Sequence, residues 1–71
     1  MDSEKLLLAL SVKPMRLLAE RLKQQMESNE GMARAYSMER CDNMAMGYET
    51  RAETLRDIIE TIEEVIGEIE Q

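Results

Sequence analysis

A chain of 71 residues with one cysteine and no histidine has room for a single domain with a thin core. Two common staples of small folds are closed to it, because one thiol makes no intrachain disulfide and cannot furnish a structural zinc site. Its net charge of −6 is uneven, with seven Lys/Arg against six Asp/Glu in residues 1–41 and two against nine in residues 42–71; this favours packing the first half on the second and makes direct nucleic-acid binding, which needs clustered positive charge, an unexpected function.

With no Trp or Phe, two Tyr and seven Met, any core must be aliphatic. High charge and few Pro or Gly make this the composition of helices. The expected fold is all-α: a helical hairpin with a short N-terminal helix and one long C-terminal helix, a single helical domain over residues 1–71, assembling into a homo-oligomeric helical bundle. The apolar run at 6–10 is preceded by Asp2 and Glu4 and followed by no small-residue cleavage site, so it does not read as a signal peptide. Nothing approaches the roughly 20 apolar residues that span a bilayer. No membrane partner is expected, and the expected compartment is cytoplasmic, consistent with a lone free thiol.

In chain order, Asp2 or Ser3 caps a short helix over about 4–10, whose Leu6, Leu7, Leu8 and Leu10 face too many directions for one interface. Pro14 then disfavours helix at Lys13 and is tolerated in a first turn, so residues 11–14 read as a stop followed by a start. A second helix over about 14–28 carries Met15, Leu18, Leu22 and Met26. Ser28, Asn29, Glu30 and Gly31 form the densest turn chemistry in the chain, and the reversal is placed at 28–31. A rival break at Asp42 and Asn43 would give a more symmetric hairpin, but an apolar stripe passes through it without a change of phase.

That stripe belongs to a long helix over about 32–70. Met38, Cys41, Ala45, Tyr48, Ala52, Leu55, Ile59, Ile62, Ile66 and Ile69 follow one another in unbroken steps of three and four. With Met38 at heptad position a, Met44, Ile58 and Val65 fall at g, beside the seam. A helix over 32–70 is about 57 Å long and one over 14–28 about 22 Å. The end of the stripe would then have no partner in its own chain. Leu55, Ile58, Ile59, Ile62, Val65, Ile66 and Ile69 are accordingly the expected oligomer interface, with about 10 kcal/mol of unclaimed burial in the last six.

Chemistry is sparse. Without His the commonest general base and metal ligand is missing, and paired carboxylates such as Glu60 with Glu64 are ordinary on acidic helices. Cys41 at a d position reads as a small buried hydrophobe. No catalytic residue, metal site or cofactor is expected, and the chain is not expected to be an enzyme. Arg34, Tyr36, Arg40, Tyr48 and Arg51 bring forked cations and phenols together and are the candidate contacts for a small anionic or nucleotide-like ligand. The leading functional expectation is a non-enzymatic adaptor, regulator or inhibitor that self-assembles and binds a protein partner. The alternatives are an oligomer that sequesters a small anion through residues 34–51, and an acidic mimic of nucleic acid built on Glu60, Glu63 and Glu64.

Overall fold

The structure, a computed structural model, describes residues 3–71 and all of their side chains except those of Leu8 and Ala9. The expected cap at Asp2 and the placing of Leu8 lie outside the described residues. Two helices, α1 over Ser3–Met38 and α2 over Asp42–Glu70, pack on each other, and there is no strand among the described residues. The hairpin is a rod 58 Å long.

Three expected boundaries are corrected. The chain does not break at Pro14, since one helix of 36 residues runs through it. An interior proline forfeits one helical hydrogen bond, here to the Leu10 carbonyl, and packing on both sides of a single lost bond outweighs that cost. The reversal is not at 28–31, because α1 also runs through Asn29 and Gly31. There the Asn29 side-chain amide donates to the Gln25 carbonyl, 2.8 Å away, which satisfies it without leaving the helix. The long C-terminal helix over 32–70 is therefore replaced by a helix of 29 residues, and the reversal lies beside the rival break at 42–43.

A seam explains why. On α1, Val12, Met15, Ala19, Leu22, Met26, Asn29, Ala33 and Tyr36 are buried or half-buried, in steps of three and four. On α2 the matching set is Ala45, Tyr48, Ala52, Leu55, Ile59, Ile62, Ile66 and Ile69. These are the a and d positions of an antiparallel two-stranded coil closed within one chain. The expectation that the isoleucines lack a partner in their own chain is thus overturned: Ile59 and Ile66 are buried to 5% exposure against α1.

The two stripes are out of phase, and the connection resolves the mismatch. Arg40 takes a left-handed φ of 61°. The Cys41 N–H donates to the Tyr36 carbonyl at 2.8 Å and the Arg40 N–H to the Ser37 carbonyl at 3.1 Å. This is the paired closure that ends many helices, with arginine where glycine is usual. Met38, 86% exposed, and Cys41, also exposed, lie at this turn and outside the seam, so the reading of Cys41 as a buried hydrophobe is corrected.

Candidate functional site

Heptad geometry gives the hairpin two flanks, and their chemistry is opposite. On one, Arg16 pairs with Glu70, Lys23 with Glu63 at 2.8 Å, and Arg56 with Glu30 at 2.9 Å. All six residues sit at position e. The Glu63 carboxylate, hydrogen-bonded to Lys23 and adding its charge, holds the Lys23 pKa above the ordinary value of 10.5. These pairs are largely exposed, so their main effect is on register. Sliding the helices by one heptad sets Lys23 against Arg56 and Glu30 against Glu49, or Glu30 against Glu63, and like charges oppose each slip. An open groove of about 400 Å³ lies over Ala19 and Ile66, bordered by Arg16, Lys23, Glu63 and Glu70. Two of the three ion pairs are formed by these bordering residues.

The opposite flank, at positions g and c, carries exposed apolar side chains and no ion pair among the described residues. Leu18 and Met32 on α1 and Met44, Ile58 and Val65 on α2 are exposed there. From 7 to 35 on α1 and from 44 to 65 on α2 these positions hold no carboxylate, although the chain has 15 acidic residues. Their charges are Arg21 and Arg51. The carboxylates of α2 lie instead at b, e and f, with Glu68 the exception at c near the helix end.

The residues expected to form the oligomer interface therefore divide. Leu55, Ile59, Ile62, Ile66 and Ile69 face α1 in the seam, whereas Ile58, 43% exposed, and Val65, 39% exposed, stand on the apolar flank. Sequence reasoning missed Leu18 and Met32 as their neighbours. The signal available was the second stripe through Asn29 to Tyr36, which fixes the phase of α1.

The candidate ligand residues divide as well. Tyr36 and Tyr48 stack across the turn end of the seam, their ring centroids 5.6 Å apart and their planes 8° from parallel. The Arg51 guanidinium lies 5.2 Å from the Tyr48 centroid, a cation on an aromatic face. Arg34 and Arg40 are exposed and are not part of this stack. Beside Tyr48 and Arg51 is a depression of about 110 Å³ bordered by Asn43, Met44 and Gly47. Enclosed ligand sites are commonly about 300 Å³ or more, so this space suits a small group rather than a whole nucleotide.

Among the described residues no three His, Cys, Asp or Glu side chains are grouped to hold a metal ion, and no helix is long and apolar enough to cross a membrane. A scan against protein-family models and searches of curated proteins and of solved structures found no match to this chain.

Proposed function

We propose that the protein is a non-enzymatic helical binding module, an adaptor, regulator or inhibitor, that works as a homo-oligomer and engages a macromolecular partner. The observation that carries this reading is large aliphatic surface outside a seam that is already filled. Leu6, Leu7, Leu10, Leu17, Leu18, Ile58 and Val65 are all exposed on a hairpin whose two helices satisfy each other. Leu6, Leu10 and Leu17 follow one another along the outside of α1 in steps of four and seven, the spacing of a helix that lays its ridge in a partner's groove.

Cross-linking followed by mass spectrometry in an extract of the native host tests the partner. A specific protein joined near Leu10 and Leu17, and lost in Leu10→Glu/Leu17→Glu, is the expected result. A wild-type chain that stays at its single-chain mass of 8.2 kDa, alone and in extract, would end the reading.

One observation favours a second reading, sequestration of a small anion by the oligomer. Arg51 and Tyr48 border a depression, and no carboxylate pairs with Arg51 among the described residues. Thermal-shift screening tests it: an anion at 100 times its Kd adds about 2.7 kcal/mol of stability. Loss of that shift in Arg51→Gln is expected, and no shift across a panel of anions and nucleotides removes the reading.

A further inference from the structure

We propose that the partner in self-assembly is one second copy of this chain, docked on the flank formed by Leu18, Met32, Met44, Ile58 and Val65, so that two hairpins close a four-helix bundle. This rests on the reading of the protein as a homo-oligomer and replaces the seam isoleucines by a different surface.

Area points first to a copy of the same rod. A compact monomer of 8.2 kDa has about 4,500 Å² of accessible surface by the usual mass scaling, whereas this chain exposes 5764 Å². The excess, about 1,200 Å², is the cost of building a rod from two helices. A standard interface buries about 800 Å² on each partner, so a second rod laid alongside removes about two thirds of that excess. No helical seam of the hairpin is left to receive a third strand, because the a and d positions of both helices already face each other.

Charge then selects the face. A surface that approaches its own copy meets its own charges, so a self-docking face must avoid like charges in rows. Fifteen acidic residues make most faces of this molecule repel themselves. The flank over 7–35 and 44–65 is free of carboxylates on both helices at once, and its two charges are both arginines, which keep company with aromatic and amide neighbours in dry contacts better than lysine does.

Hydrogen bonding makes the same face ready for burial. Thr54 and Thr61 are its polar members between Arg51 and Val65, and their hydroxyls already donate within α2, to the Thr50 carbonyl at 3.0 Å and the Asp57 carbonyl at 3.0 Å. Covering them leaves neither hydroxyl without an acceptor, so these two positions do not oppose association. The ion-paired flank is the reverse case, because burying three exposed salt bridges carries a desolvation penalty.

Light scattering after size exclusion, on the full chain under reducing conditions, tests the proposal. The wild type is expected at about twice 8.2 kDa, and Leu18→Glu/Ile58→Glu at 8.2 kDa with its helical circular dichroism unchanged. If that variant loses its helix, Thr54→Arg/Thr61→Arg decides instead, since both positions are exposed and outside the seam; it too is expected at the single-chain mass. A wild-type oligomer whose mass survives these substitutions overturns the flank while self-assembly stands. A wild type at 8.2 kDa at every concentration overturns both.

Discussion

The ring of Tyr36 lies flat against that of Tyr48, 5.6 Å between centroids, and the two residues close the seam at its turn end. Each ring comes from a different helix, so the stack clamps the last heptad before the reversal. A double-mutant cycle with Tyr36→Leu and Tyr48→Leu, read by chemical denaturation, is expected to give a coupling of about 0.5–1.5 kcal/mol. Additive losses would show that the rings contribute burial alone.

Arg40 holds the left-handed position that ends α1. For a residue with a Cβ that conformation costs about 1–2 kcal/mol, and glycine adopts it freely. Arg40→Gly is therefore expected to stabilise the protein by about 1 kcal/mol and to raise Tm by about 4–8 °C in a thermal melt. A fall in Tm would mean that the guanidinium makes a contact that matters more than the backbone.

Register is the task assigned to the ion-paired flank. Glu30→Arg is expected to destabilise by about 0.5–1 kcal/mol by replacing an attraction to Arg56 with a repulsion, and Glu30→Arg/Arg56→Glu to recover most of the loss. Urea melts of the single and the double variant check this. Equal losses in the single and double variants would remove the register argument.

The pH dependence has a definite sign. Because Lys23 has a raised pKa in the folded chain, its pairing with Glu63 stabilises the fold below the unfolded value near 10.5 and is lost as pH rises through the higher folded value. The difference in Tm between wild type and Lys23→Gln should be present at pH 8 and should shrink as the pH rises past 10.5. The other two pairs use Arg, which stays charged over that range, so their variants should show no such convergence.

Much of the fold was legible in the residues. Helical class followed from composition, and the stripe from Ala45 to Ile69 proved to be the whole seam face of α2. The turn was legible only as the less favoured of two breaks, for a physical reason. Ser28, Asn29 and Gly31 carry turn chemistry, yet Asn29 occupies a seam position and Gly31 sits in a helix whose neighbours Met26, Ala33 and Tyr36 are held by α2. Tertiary packing outweighs a glycine's cost of about 1 kcal/mol. The true reversal has no Gly or Pro, and Asp42 and Asn43 beside it marked it only as the rival break, so local chemistry favoured the wrong turn.

The candidate site followed the same pattern. Ile58 and Val65 were visible beside the stripe, but their exposure became meaningful only once Ile59 and Ile66 were seen to be spent inside the hairpin. Tyr36 is absent from the stripe that starts at Met38 because α1 carries a different phase on its side of the turn.

Closure of the seam within a single chain is the claim on which every other statement depends, and a distance across it is the direct test. Spin labels at Glu20→Cys and Gly67→Cys in a Cys41→Ser background, diluted with unlabelled chain, report that distance by pulsed electron resonance. Both residues border the same groove between α1 and α2, so a separation under about 25 Å is expected from helices 8–10 Å apart. A turn at 28–31 would set residue 20 level with residue 40, and a separation of about 40 Å along the helix would contradict the account.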